Sequence, residues 1–199
     1  SITAATLTVT TESGEKTYDG TALTASGTVT GYKNDETATF TVTGSQTEVG
    51  SSTNSYTLVF DQTAVSTDYT ISESLGTLKV TEDTTELTIV SATDSKEYDG
   101  TALTAPTYTI TYGEASGTAT ANEDGTYSYK LSTGDTIVIT PAESATVTHV
   151  AEGTVTNAFS YTLENASYYS NVTKTEGNLS ITAATLTVTT ESGEKTYDG

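Results

Sequence analysis

The chain predicts an all-β fold built as two tandem β-sandwiches, and three observations carry that reading. Apolar residues recur at every second position in short runs, the period of a strand with one buried face and one wet face. Thr supplies about a quarter of the residues, and its β-branched hydroxyl side chain suits the wet face of a pleated sheet. The sequence also repeats itself on two scales, which divides it into units of sandwich size.

Taken in chain order, the alternating runs are Leu7 with Val9; Phe40 with Val42; Tyr56, Leu58 and Phe60; Leu78 with Val80; Leu87 with Ile89; Ile137 with Ile139; and Leu179 with Ile181. Leu, Ile, Val and Phe are scarce enough overall to raise the question of disorder. Their placement answers it, because a random scatter would not fall on one face of successive strands.

The larger repeat is literal. Residues Ser1–Gly20 return letter for letter as Ser180–Gly199, a period of 179 residues. The expectation is a tandem array, of which this chain holds one unit and the opening of the next. Within the unit a weaker repeat appears: KTYDGTALTA at Lys16–Ala25 is answered by KEYDGTALTA at Lys96–Ala105. Later landmarks keep their order. ETATFTVTG from Glu36 matches DTIVITPAE from Asp135, Gly50 through SYTL at Ser55–Leu58 matches Gly153 through SYTL at Ser160–Leu163, and GTLKVT from Gly76 matches GNLSIT from Gly177.

The expected organisation is therefore a repeat domain A over residues 1–83, a repeat domain B over 84–183, and the incomplete start of another repeat over 184–199. Domain B is longer because of an insertion whose turn signals, Ser116-Gly117 and Asp124-Gly125, predict an added hairpin over Ala115–Lys130. The last segment is expected to lie loose or to pair with a neighbouring chain as an unprotected strand. The junctions TEDTTE (81–86) and TAAT (182–185) are short and free of Gly and Pro. Such links predict an elongated, end-to-end arrangement with little bending, and a junction whose exposed side is polar.

Charge sets the company this chain can keep. With 26 acidic against 7 basic residues the net charge is -19, so its field repels nucleic acid and anionic membrane surfaces. There is no Cys, which removes disulfides and thiolate metal sites. No run approaches the roughly 20 apolar residues of a membrane-spanning helix, and no signal peptide is present. Insertion into a membrane is not expected.

The order LTVT, K-x-YDGT, V-G with SYTL, DYTI and GTLKVT resembles the YDG/MBG-type tandem repeat domains of bacterial cell-surface adhesins. The stretch NVTKTEG at Asn171–Gly177 and the insertion depart from that pattern. The resemblance implies Ig-like sandwiches that serve as a structural stalk or spacer, projecting a distal binding domain from the cell. It implies an extracellular, wall-anchored parent protein, a monomer whose partners are neighbouring identical repeats in the same chain, with any host ligand met by another domain. It implies no catalytic residues.

Candidate sites follow from residue types. Tyr18-Asp19-Gly20 and Tyr98-Asp99-Gly100 read as a structural turn motif: the Asp carboxylate caps its own turn, the Gly tolerates positive φ, and the Tyr ring covers the edge of the core with its hydroxyl at the surface. An alternative is a ligand surface for host glycan or protein formed by Tyr108, Tyr112, Tyr127 and Tyr129, since exposed Tyr stacks on sugars and anchors interfaces. Such a surface requires those rings to point outward. Acidic clusters at Asn34-Asp35-Glu36, Glu82-Asp83 with Glu86, and Asn122-Glu123-Asp124 lack the spacing of a calcium loop, so neither metal nor other cofactor is expected. The sole His, His149, has no nucleophile motif beside it, and no enzyme activity is expected. Lys16, Lys79, Lys96 and Lys174 near the terminal strands are where a Lys–Asn isopeptide bond would brace a stalk, although no buried acid is identifiable as its catalyst.

Overall fold

The structure is a computed structural model and describes residues 2–61 and 63–199. It is all-β, with short 3-10 turns and no α-helix among the described residues. The first half contains β1 (Ala5–Thr11), β2 (Gly14–Thr17), β3 (Gly27–Thr30), β4 (Ala38–Val42), β5 (Gly50–Thr53), β6 (Tyr56–Phe60), β7 (Tyr69–Ser74) and β8 (Thr77–Thr81). The second contains β9 (Leu87–Ser91), β10 (Asp94–Glu97), β11 (Tyr108–Tyr112), β12 (Ala115–Thr118), β13 (Thr120–Ala121), β14 (Tyr127–Lys130), β15 (Thr136–Pro141), β16 (Val155–Asn157), β17 (Phe159–Leu163), β18 (Val172–Thr175) and β19 (Gly177–Thr182).

The two halves share one strand order. In the first half the sheets run β3-β1-β7 and β2-β8-β5, with β4 paired to β6. In the second they run β12-β11-β9-β18, β10-β19-β16 and β13-β14-β15-β17. Remove β12, β13 and β14 and the second set reproduces the first. The inserted stretch thus splits, β12 extending one sheet and the β13–β14 hairpin extending another. Asp124-Gly125 does make the hairpin turn, with Gly125 at φ 83. Ser116-Gly117 does not turn; both residues lie inside β12, and the reversal falls at Gly113 (φ 57) instead. Gly117 serves a packing purpose, because a Cβ there would sit 2.7 Å from the ring of Tyr129.

In each half one extended run crosses from sheet to sheet. β1 pairs in parallel with β7, and its continuation β2 pairs in parallel with β8. A buried polar knot fixes the crossing point. Thr11 Oγ1 donates to the Asn54 carbonyl at 2.7 Å and accepts from the Gly76 N–H at 2.9 Å. Asn54 Nδ2 donates to the Glu12 carbonyl at 2.9 Å. The second half repeats the knot with Ser91, Asn157 and Gly177 at 2.7 and 2.9 Å. In the first knot the Thr11 hydroxyl both donates and accepts and Asn54 Nδ2 is bonded, while the buried Asn54 Oδ1 has no partner; these cross-links between three segments hold the strands in register.

That knot also corrects the SYTL match. Asn54 and Asn157 are structural counterparts, so Tyr56 corresponds to Phe159 and Leu58 to Tyr161, two residues away from the sequence pairing. A slip of two leaves every side chain on the same face, and the alternation therefore concealed it.

Among the described residues, buried apolar side chains collect in three clusters. Leu7, Ala64 and Tyr69 fill the first half, and Leu103, Val147, Leu179 and Ile181 fill the far end of the second. The largest runs across the junction. Tyr18 and Val80 from the first half join Leu87, Ile89, Tyr108, Ile137, Ile139 and Tyr169 from the second. The junction therefore buries apolar and aromatic side chains that the polar TEDTTE link did not predict: the turn beyond β2 supplies Tyr18, and of the acidic link residues only Asp83 is buried there while Glu82 and Glu86 stay exposed. Residues 184–199 form no strand and are exposed.

Candidate functional site

Both YDG turns fold alike at close range. Asp19 Oδ1 accepts from the Thr21 N–H at 2.9 Å, from Thr21 Oγ1 at 2.7 Å and from Lys16 Nζ at 2.6 Å. Those donors hold its carboxyl down to about 2, the bond from Lys16 counting most. Asp99 repeats the arrangement with Thr101 at 2.9 and 2.8 Å and Lys96 at 2.9 Å. Gly20 and Gly100 take φ values of 76° and 82°, a left-handed geometry that favours Gly. The turn reading of Tyr18, Asp19, Gly20, Tyr98, Asp99 and Gly100 describes these local contacts well.

Beyond the turn the two copies part company. Tyr18 is 6% exposed, and its hydroxyl does not reach the surface. Its ring enters the second half, edge-on to Tyr168 at 4.9 Å and to Tyr169 at 5.9 Å. Its hydroxyl donates to Asp135 Oδ2 at 3.0 Å. The same carboxylate accepts from the Tyr169 hydroxyl at 2.6 Å and from Asn165 Nδ2 at 2.9 Å. Gly20 lies against the backbone of Thr133, where an added Cβ would stand 1.8 Å from the carbonyl oxygen. The expectation of a surface hydroxyl fails because that reading treated each half alone, whereas the second half supplies a socket.

Sequence sets up the socket. A tight turn over Leu131–Gly134, closed by the Gly134 N–H onto the Leu131 carbonyl at 3.0 Å, delivers Asp135 to the start of β15. A 3-10 turn over Ala166–Tyr168 delivers Tyr169 beside it. Burial, followed by the bond to Asp135, pushes the Tyr18 hydroxyl up to about 12, and the same two causes push Tyr169 up further. Shared carboxylate and neutral phenols make this a recognition site for a tyrosine side chain.

A second acid braces the same junction. Asp83, in the TEDTTE link, is buried. It accepts the hydroxyl of Tyr112 and the Thr85 N–H, and its own backbone pairs with Tyr168 and Ser170. Each of the three acidic clusters seen in the sequence thus has one carboxylate hydrogen-bonded within the fold: Asp83 here, Glu36 with the Tyr69 hydroxyl, and Asp124 with Thr126.

The tyrosines offered as a ligand surface turn inward. Tyr108 is fully buried and contacts the rings of Tyr127 and Phe159. Tyr112 meets Tyr169 and Asp83, while Tyr127 and Tyr129 pack half-buried against the large core cluster. The period-two pattern of β11 and β14 turns these rings toward the large core cluster, which corrects the exposed-surface reading. The four lysines face carboxylates: Lys16 with Asp19, Lys79 with Glu15, Lys96 with Asp99 and Lys174 with Glu176, at 2.6 to 2.9 Å. His149 caps a 3-10 turn through its backbone, with its ring against Tyr98 at 5.9 Å.

Sequence reasoning found Tyr18 and missed its receptor, Asp135, Asn165, Tyr168, Tyr169 and Thr133. One usable signal was the pairing of Glu36 with Asp135 at the head of matched strands. The chain matches no family model, and comparison with curated proteins and with solved structures finds no similar one. No helix among the described residues is long and apolar enough to cross a membrane.

Proposed function

We propose that the chain is a stalk segment: two Ig-like β-sandwich domains, A and B, joined pole to pole as a stiff spacer that carries a binding domain away from a bacterial surface. The insertion of Tyr18 into the Asp135–Asn165–Tyr169 socket is the observation that carries this reading. A short link alone limits distance, whereas a buried ring with a shared carboxylate also limits rotation. Within each domain the chain enters beside the socket tyrosine, Tyr69 or Tyr169, and leaves beside the YDG turn. The Tyr18 N–H bonds to the Thr81 carbonyl and the Tyr98 N–H to the Thr182 carbonyl, each at 2.9 Å. From Tyr69 to Thr81 the run is continuous strand apart from the crossing, about 40 Å at roughly 3.3 Å per residue. Entrance and exit therefore fall at opposite ends.

Mutual repulsion supports the same reading, since a net charge of -19 opposes side-by-side packing of copies. Surface placement in a bacterial adhesin rests on the sequence resemblance. Small-angle scattering on chains of one, two and three units tests the stalk. Its maximum dimension should rise nearly in proportion to unit number; a particle growing with the cube root of mass would refute it.

A further inference from the structure

The geometry points to a second tyrosine socket, at the free pole of domain A, whose occupant is the Tyr98-Asp99-Gly100 turn of a preceding copy of this same chain. The inference rests on the stalk reading and deepens it by naming the contact that joins one unit to the next.

The free pole repeats the occupied socket part for part. Tyr69 follows the 3-10 turn Ser66–Asp68 as Tyr169 follows Ala166–Tyr168. Its hydroxyl donates to Glu36 Oε2 at 2.6 Å, the same length as the bond from Tyr169 to Asp135. Glu36, like Asp135, is delivered by a tight turn, here closed by the Glu36 N–H onto the Lys33 carbonyl at 2.9 Å. Asn34 stands where Thr133 stands, so its carbonyl is the counterpart of the surface on which Gly20 rests. In the occupied socket the carboxylate takes two further donors, Tyr18 and Asn165. At the free pole the counterpart of Asn165 is Val65, which carries no donor and is exposed. A cavity of about 480 Å³ opens there, lined by Lys33, Asn34, Glu36, Thr67, Asp68 and Tyr69.

The complementary piece stands at the opposite pole of the chain. Tyr98 is 40% exposed, and Val150, next to the His149 that it contacts, is exposed as well. Gly100 holds the same left-handed geometry as Gly20 yet has nothing within 4 Å of its Cβ direction. A turn that is identical in its capping contacts, and whose twin is buried in a partner, presents an unused copy of the same key.

Sequence continuity fixes the occupant. Residues 180–183 read SITA, as do residues 1–4. Ile181 lies in β19 and is 5% exposed, whereas Ile2 is 103% exposed beside the open cavity. A unit placed ahead of this one runs its last strand directly into β1, which brings its Tyr98 turn to the Glu36 pole. The joint would differ in detail from the A–B joint. Its link, 182–185, is shorter than 81–86 and carries no acid equivalent to Asp83, so Glu36 supplies the carboxylate alone.

Nitration by tetranitromethane tests this in a chain of two units, residues 1–179 followed by residues 1–199. Tyr98→Phe in the second unit leaves the first unit's Tyr98 as the sole reporter. In the single chain Tyr98 should react readily while Tyr18 resists. In the two-unit chain nitration of the reporter should fall to the level of Tyr18, and Glu36→Ala in the second unit should restore it. Tyr18 of that second unit, still protected, verifies that the variant is folded. A reporter that reacts as fast as in the single chain, or protection that survives Glu36→Ala, overturns the proposal. Scattering on the same chain reads the stalk independently: an extended particle with a reactive Tyr98 keeps the stalk and removes the socket.

Discussion

Tyr18-Asp19-Gly20 and Tyr98-Asp99-Gly100 are the same three residues in the same turn, with the same Lys and Thr contacts, and only the first is buried in a neighbour. Tyr18 is 6% exposed and Tyr98 40%. The difference teaches that the motif encodes two separable things. Asp, its Lys and Thr partners and the positive-φ Gly make the same turn at both positions, whereas the burial of Tyr18 and the close contact at Gly20 come from what lies across the junction. In the third copy, a segment with no strands, Lys195 lies 3.7 Å from Asp198, beyond the 2.6 and 2.9 Å of the first two, and Tyr197 is exposed.

Glycine gives the largest expected contrast. Ala at either position meets the strain of positive φ, about 1 kcal/mol. At Gly20 the new Cβ must also displace the Thr133 backbone, for which overpacking costs suggest about 2 kcal/mol more. Gly20→Ala should therefore lower stability by roughly 3 kcal/mol and Gly100→Ala by roughly 1, measured by urea unfolding. Equal losses would mean that the Thr133 contact contributes nothing.

How much of this was legible in the sequence depends on range. Alternation at Leu7 and Val9 or Ile137 and Ile139 announces half-buried strands, because the period is local. Asp124-Gly125 announces its turn for the same reason. Ser116-Gly117 misled, since Gly is also chosen where a ring, here Tyr129, lies over the backbone. The socket was illegible because Tyr18 and Asp135 are 117 residues apart. Nothing in a local window distinguishes an Asp that opens a strand from an Asp that receives a tyrosine. Only the parallel between Glu36 and Asp135, visible once the halves are aligned, hints that both poles carry an acid.

The hydroxyl gives a smaller contrast and a pH dependence. Tyr18→Phe leaves buried Asp135 one donor short, a loss of about 1 to 2 kcal/mol, while Tyr98→Phe at an exposed site should change stability by less than about 0.5 kcal/mol. Tyr18 is raised from 10.0 to about 12 in the folded chain. A raised tyrosine favours the protonated, folded state, so its contribution is complete below pH 10 and is lost as pH climbs through about 12. Tyr169 and Tyr112 titrate in the same direction, so alkaline destabilisation should shrink in Tyr18→Phe without vanishing. Identical alkaline curves for Tyr18→Phe and the parent chain would place the hydroxyl outside the linkage.

The smallest contrast expected is none, and it sharpens the other two. Asp19 and Asp99 make the same bonds to Lys and Thr within their own turns, so Asn at either position should cost the same amount. Both side chains are exposed, where ion pairs are worth little, and the loss should be small. Asp19 is lowered from 3.8 to about 2 and Asp99 further still, the Lys bond being the first cause in each. A lowered carboxyl stabilises the fold above its unfolded value and ceases to do so as pH falls through its folded value. The shared contribution should thus fade from about pH 4 toward pH 2, read from carboxyl carbon shifts of the two residues by NMR. Should Asp19→Asn prove much more damaging than Asp99→Asn, the capping bonds and the junction are coupled, and the division of the motif into a local turn and a long-range key would be wrong.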